Sequence, residues 1–596
     1  MLKTRIEFRC GKPYLSVDGE LHAPLAYTTY FEECGAFSDF IRHGYRIFFI
    51  NVSFTTSPIN SVTGFSPFLY GVYEAGEPNY APFDNQVMQI LAECPNALIF
   101  PRINISMPKY WTEKNIKETV PTQNAGPRES LYSDAFLRDG AALLIDLVTH
   151  IRSSEYASRI AGYQLCGGAT QEWFPHDLFG SFSDLGVRKF HQWLESKYPQ
   201  ANLPPLKREA LCGNAPTETT RYYGEFCCEM TAKTVEHFAR VLKDYINNEQ
   251  IVGVFYGYNA FVSDYLWGAH GLRHIIDSPY IDFFSSPCCY DHGRALGVDW
   301  GDMMPVDSLK LHGKLCFIEC DIRTSLTQAM QRSRPGMYPE GIYTTEDEHG
   351  NKTVWAGPDT IELSIAALRK AFAHQLVKSS GVWWFDMWGG WYRNDRIMAE
   401  LETMRKITET SMAKATAGLP SAETVLFIDE KAYANNLRGS DLIDSVNRIR
   451  VAMGNTGIPF KQCMVEDAAE VLPRCRAAIF TAPLPSESGK AAMELCQQLQ
   501  IPCLVSTKSK ASISTAELRE FLVANGIHCY NSDGCVVYCG NGYLGVHAVF
   551  SGDVRIALPG QYTIKPLLGS NTFSLNNQVL TVTMQQHDTA LFELTN

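Results

Sequence analysis

Eight short apolar runs punctuate the first 400 residues, and each gives way to polar or aromatic residues at its C-terminal end. They read APLAYTTY, YRIFFINVS, ALIFPRINI, AGYQLCGG, VGVFYGY, IDFFSSP, KLCFIEC and GVWWFDMW. Apolar character that is continuous rather than alternating marks strands covered on both faces, as in a parallel sheet. Between the runs, AFLRDGAALLIDLVTHIRSS, MTAKTVEHFARVLKDYINN and DTIELSIAALRKAFAHQLVKSS carry apolar residues three and four apart and predict helices. Strand–helix alternation repeated eight times predicts a (β/α)8 barrel rather than an open sheet. A hairpin over IEFRCGKPYLSVDGELH precedes it, with turn signals at Gly11–Lys12–Pro13 and Asp18–Gly19.

Near SMAKATAGLPSAE the pattern resets. ETVLFIDE, PFKQCMVE, AAIFTAP and IPCLVST then alternate with helical segments over DLIDSVNRIRVAMGN, ESGKAAMELCQQLQ and TAELREFLVANG. This predicts a flavodoxin-like α/β domain. It has neither a G-x-G-x-x-G fingerprint nor a nucleophile elbow, so its expected role is assembly or framing of a cleft. Short alternating segments (CVVYCG, LGVHAVF, VRIALP, QVLTVTM, TALFEL) close the chain as a small antiparallel β-domain. The expected domains are therefore 1–415, the barrel with its N-terminal hairpin; 422–532, the flavodoxin-like unit; and 533–596, the β-domain.

A barrel of this kind places its chemistry at the C-terminal ends of the strands. The fourth run continues into GGATQEWF and delivers Glu172; the seventh delivers Glu319 within FIECDIRT. Two carboxylates across one mouth are what hydrolysis of a glycosidic bond requires. Glu172, flanked by Trp173 and Phe174, is expected to be desolvated and to keep a proton near neutrality, as an acid/base must. Its structural alternative is to cap the next helix or pair with a lysine. Glu319, with Asp321 and Arg323 beyond it, is expected to be the nucleophile, held ionised by a cation; the alternative is an ion pair with Arg323. A retaining pair would stand roughly 5–5.5 Å apart and an inverting pair roughly 6.5–9.5 Å.

Supporting candidates follow from the same placement. Arg102 ends strand three, where it could hold the nucleophile ionised, bind a sugar oxygen or neutralise a barrel carboxylate. Tyr256 could donate to the nucleophile or simply fill the core. Strand eight offers Trp384, Asp386, Trp388 and Trp391 beside Trp383, of which alternation sends only some inward. An aromatic platform with an acid suits the apolar face and hydroxyls of a sugar; helix packing outside the barrel is its rival. Tyr30 follows strand one, and the segment from Thr324 to about Gly357 is long enough to overhang the site.

Bulk properties narrow the partners. The net charge of −12 disfavours nucleic acid and anionic membranes. The N-terminus lacks an apolar signal region and no stretch of the chain is apolar enough to span a bilayer, so a cytoplasmic enzyme is expected. The 18 cysteines include no C-x-x-C, and the 15 histidines form no His-x-His pair, so no metal site is expected. A barrel that binds carbohydrate without cleaving it is the alternative of another class.

An acid/base glutamate on strand four and a nucleophile glutamate on strand seven resemble the clan A retaining glycosidases. The order of barrel, flavodoxin-like domain and β-domain resembles the family 42 β-galactosidases across nearly the whole chain. In that clan an Asn usually precedes the acid/base; Gln171 stands there in this sequence, in TQEW, and enters as a substrate-binding candidate. The zinc-binding cysteine spacing of some family 42 enzymes has no counterpart. The resemblance implies retention at equatorial β-linkages, an exo-acting β-galactosidase without cofactor, an oligosaccharide or glycoside substrate and a homotrimer. A β-mannosidase such as those of family 164, with the same three-domain plan, is the alternative.

Overall fold

The computed structural model describes all residues except 213–215, 261, 263, 291–293, 417, 436–444, 508–509 and 511. The eight apolar runs form eight parallel strands: β1 (Leu25–Thr28), β2 (Ile47–Ser53), β3 (Leu98–Ile105), β4 (Gly162–Gly167), β5 (Ile251–Phe255), β6 (Phe283–Pro287), β7 (Leu315–Cys320) and β8 (Gly381–Phe385). β8 pairs with β1, and the sheet closes into a barrel in chain order. All residues of these strands are buried, which accounts for their continuous apolar character. Inside the barrel, Phe49, Phe100, Phe283, Phe317 and Trp383 fill the lumen. Glycines on neighbouring strands make room for them: a Cβ on Gly253 would lie 2.1 Å from the Phe283 ring and one on Gly381 2.7 Å from Phe317.

The predicted hairpin is a three-stranded meander, Thr4–Arg9, Lys12–Val17 and Glu20–His22. Its Leu15 and Val17 join the lumen cluster, and Thr4 Oγ1 accepts from Ile251 N at the start of β5. It therefore plugs the end of the barrel opposite the strands' C-termini. The helix before β5 runs Glu218–Tyr245, starting well ahead of the predicted segment, because Thr217 and Thr220 form a capping box there.

The second unit is a parallel four-stranded sheet: β9 (Thr424–Ile428), β10 (Phe460–Met464), β11 (Ala477–Phe480) and β12 (Cys503–Val505), in the order β10-β9-β11-β12. It docks on the barrel through buried Glu430, which accepts from Asn259 Nδ2 and from the backbone N–H groups of Leu272 and Arg273. The closing β-domain holds seven strands in two sheets. Two of them, Thr563–Leu568 and Phe573–Asn576, escape the sequence pattern. Both are sheet edges; the first carries Pro566 beside a bulge and the second is largely exposed. Among the described residues no helix is long and apolar enough to cross a membrane.

Candidate active site

Glu319 is the penultimate residue of β7, and it is paired in register with Pro287 of β6 and Trp383 of β8. It is buried, and its Oε2 has no hydrogen-bond partner. Burial and the adjacent Asp321 push its carboxyl up to about 8 against the pull of Arg102, Arg294 and Arg323, so the expectation that a cation holds it ionised is not met: burial outweighs the guanidiniums. Asp321 is itself the ion-pair partner of Arg294 and of Arg323, so these two guanidiniums are shared between Asp321 and the strand end. The alternative of a simple Glu319–Arg323 ion pair is not what the structure holds: Arg323 goes to Asp321 at 3.2 Å and stacks 4.2 Å over Trp355.

Glu172 lies beyond β4 on a tight loop that folds back on the strand. Gly167 pairs with Glu172, Trp173 N donates to Gly167 O at 2.7 Å and Ala169 N to Phe174 O at 2.8 Å. The fold-back puts Thr170, Gln171 and Trp173 at φ of 58°, 73° and 62°. Three non-glycine residues in the left-handed region cost roughly 1–2 kcal/mol each, and the surrounding packing must hold them there. The Trp173 ring does much of this holding. It is fully buried outside the barrel, stacked on Phe238, with its indole N–H on Leu165 O. A Cβ on Gly167 would collide with that ring at 2.7 Å, which explains the glycine. The desolvation expected from Trp173 therefore comes instead from Phe174 and Tyr258, whose rings meet edge to face at 5.4 Å.

Tyr258 donates to Glu172 Oε1 at 2.9 Å, while Glu172 Oε2 is buried without a partner. Burial first, and then the charge of Glu319, raise the Glu172 carboxyl well above the ordinary range. The Glu172 carboxyl thus feels the charge of Glu319. A cleft of about 420 Å³ opens onto Glu172, walled by Phe174, Trp267, Tyr258 and Tyr290.

Arg102 sits in the lumen below the glutamates, wholly buried, and none of its three guanidinium nitrogens has a hydrogen-bond partner. The rings of Phe255, Tyr30, Trp383 and Phe385 surround it at 4.8, 5.1, 5.1 and 5.8 Å. Tyr30, expected beside the site, is there: its hydroxyl responds to Arg102, Glu319 and Glu172. Gln171 is buried with both amide atoms unpartnered, next to the acid/base candidate.

Other candidates are placed elsewhere. Tyr256 points away from the lumen, and its hydroxyl donates to Gly268 O and accepts from Gly271 N, so it is a loop anchor. Trp384 also faces outward, its indole N–H on Tyr45 Oη at 2.9 Å; the inward tryptophan of β8 is Trp383. Asp386 has its oxygens committed to Trp391 N and the Tyr27 hydroxyl, so it fixes the turn after β8 rather than waiting for a sugar hydroxyl. That turn crosses the rings of Trp388 and Trp391 at 5.0 Å and presents Trp388 to Tyr343 and Trp355 of the overhanging segment. Tyr343 in turn responds to the charge of Glu172, so the cluster borders the mouth. Tyr258, Tyr290, Arg294 and Tyr343 are the residues that the sequence pattern does not single out, and Trp383 is the strand-eight tryptophan it leaves unassigned to a face.

Among the described residues, no three His, Cys, Asp or Glu side chains stand together as a metal site. No family model and no curated protein matches the sequence. Solved structures match the fold. The cold-adapted β-galactosidase of Rahnella sp. R3 is similar over 100% of both chains, with a TM-score of 0.63 at 10% identity. The β-galactosidase of the psychrophilic Marinomonas ef1 is similar over 96% of this chain and 100% of its own, with a TM-score of 0.60 at 11% identity. The GH42 exo-carrageenase of Bacteroides ovatus is similar over 100% of this chain and 84% of its own, with a TM-score of 0.60 at 12% identity. The chain shares, from end to end, the fold of the family 42 β-galactosidase structures.

Proposed function

We propose that this chain is a retaining exo-β-glycosidase acting on terminal β-linked sugars, a β-galactosidase in the first instance. One observation carries the reading: two buried glutamates stand at the C-terminal ends of β4 and β7, each with an unpartnered carboxyl oxygen, and the charge of Glu319 raises the proton affinity of Glu172. Their surroundings differ in the sense the chemistry needs. Glu172, lined by Phe174 and Tyr258, holds the proton and delivers it to the departing glycosidic oxygen. Burial and Asp321 raise the Glu319 carboxyl to about 8, while Arg102, Arg294 and Arg323 beside it favour its ionised form; in that form it attacks the anomeric carbon. A glycosyl-enzyme forms as the C–O bond to the leaving group breaks. Glu172 then takes a proton from water, and the resulting oxygen displaces Glu319.

Arg102, held in its aromatic cage without a hydrogen bond, is positioned to steady Glu319 and a sugar oxygen. Trp383, Tyr30, Gln171 and the Trp388–Trp391 turn border the sugar, and the apolar-walled cleft beside Glu172 receives the leaving group. A homotrimer belongs to the same reading and is checked by sedimentation equilibrium. The function itself is tested with a panel of p-nitrophenyl β-glycosides against the parent chain, Glu172→Gln and Glu319→Gln. The reading expects one β-glycoside, the galactoside first, to be cleaved by the parent alone. Cleavage by both variants at parental rates refutes the two assignments.

A further inference from the structure

Where barrel, flavodoxin-like unit and β-domain meet, a separate cavity of about 390 Å³ is lined by groups from all three, among them Asp302 and His374, Arg450 and Lys461, and Tyr538. None of them takes part in the site described above. Arg450 is only 1% exposed, yet its Nε and Nη2 have no hydrogen-bond partner. Its Nη1 stands 3.6 Å from Asp299 Oδ2. The guanidinium lies where a side chain on residue 301 would be: a Cβ on Gly301 would fall 1.7 Å from Nη1. Trp300 Nε1, His374 Nδ1 and Asp302 Oδ1 are likewise buried without partners. Two open donors on a buried cation carry a desolvation cost that an acceptor bound beside them would relieve.

The charge of the lining says what kind of molecule. Five cationic side chains face three carboxylates there, in a chain whose net charge is −12. Lys310 and Lys378 both pair with Asp307, at 3.0 and 2.7 Å. Lys461 and Arg474, at the rim, have no carboxylate partner among the described residues. An anionic group would meet the guanidinium fork, the indole N–H and a lysine, while Asp302 Oδ1 is left to accept from a hydroxyl.

We propose that the three-domain junction binds a small hydroxylated oxyanion, a phosphate ester or carboxylate of sugar size. Its anionic group sits on Arg450 and Lys461, and a hydroxyl donates to Asp302. The segment that carries Trp300 and Asp302 is held by the β-domain through Trp300 N on Tyr538 Oη at 2.8 Å and Gly297 N on His547 Nε2 at 2.8 Å. A ligand there would join the three units at one point.

The test is thermal unfolding of the full chain titrated with glycerol 3-phosphate and with glycerate, with glycerol as the neutral control. The proposal expects at least one anion to raise Tm saturably at millimolar concentration while glycerol at equal concentration does not; which anion responds names the head group. Arg450→Gln should abolish the rise. Because Arg450 is buried, the partly exposed Lys461→Ala is run beside it, and it should weaken the midpoint about tenfold while leaving the ligand-free Tm unchanged. No rise beyond glycerol with either anion, or an identical rise in Lys461→Ala, overturns the proposal. Hydrolytic activity is not the readout, so the result is independent of the assignments at the barrel mouth.

Discussion

Tyr258 donates its hydroxyl hydrogen to Glu172 across 2.9 Å, two residues after the position at which strand counting expected a tyrosine to matter. The bond favours the ionised form of a carboxyl that burial otherwise keeps protonated. Tyr258→Phe removes that support, so the Glu172 pKa rises further. The expected outcome is an alkaline limb of the kcat/KM profile displaced to higher pH, with activity at the optimum lower by about tenfold. A pH–rate profile of the variant checks it; an unmoved limb would separate Tyr258 from the acid/base group.

Glu172 also predicts a stability effect whose sign can be worked out. Its folded-state pKa lies above its unfolded value, so between the two the folded chain binds more protons and stability falls as pH rises. Glu172→Gln cannot ionise and escapes that loss. The variant should unfold at a higher Tm than the parent, and the gain should be larger at pH 8 than at pH 5. Parallel melting curves at the two pH values measure this; a variant less stable than the parent at pH 8 contradicts it.

Arg102 carries a charge in the barrel lumen with no hydrogen bond to offset its burial. Arg102→Met, which fills similar volume without the charge, should therefore fold with stability equal to or above that of the parent. Activity should nonetheless fall by about 10²–10³-fold, the loss usual for a preorganised charge at a reacting centre. Arg102 also lowers the Glu319 pKa, so the acidic limb of the pH profile should move up. Steady-state kinetics paired with chemical denaturation distinguish this from a folding defect.

Trp173 is fully buried and holds the strained loop in front of Glu172 from behind. Trp173→Ala should cost about 3–5 kcal/mol of stability and lower kcat beyond that, because three left-handed residues lose the packing that fixes them. Trp173→Phe, which keeps a ring against Phe238, should recover most of the Tm. Equal activity per folded molecule in Trp173→Ala would show that the loop is held by other contacts.

The barrel was legible because strands buried on both faces leave long apolar runs, and Glu319 because it ends one of them. Strand parity was not legible. GVWWF does not say which tryptophan starts inward; only the register with Glu319 places Trp383 in the lumen and Trp384 outside it. Tyr258 escaped notice for a related reason, while Tyr256 takes the core position that was its alternative. Gly257 takes φ of 118°, which breaks the alternation after Phe255 and turns Tyr258 rather than its neighbours toward Glu172. Asp386 misled because a buried acid beside aromatics suits a turn anchor as well as a sugar site, and its backbone partner at Trp391 is invisible in sequence. Tyr343 comes from a segment with no periodic pattern, where only the fold brings it to Trp388.

The central claim is that Glu319 forms a covalent bond to the sugar and Glu172 serves it as acid/base. The most direct measurement is rescue of Glu319→Ala by azide with an activated β-glycoside, with the product's anomeric configuration read by NMR. The account predicts an inactive variant that regains turnover with azide and yields the α-glycosyl azide, since azide enters the face that Glu319 has left. A variant that retains parental activity without azide, or a rescued product that is the β-azide, contradicts it.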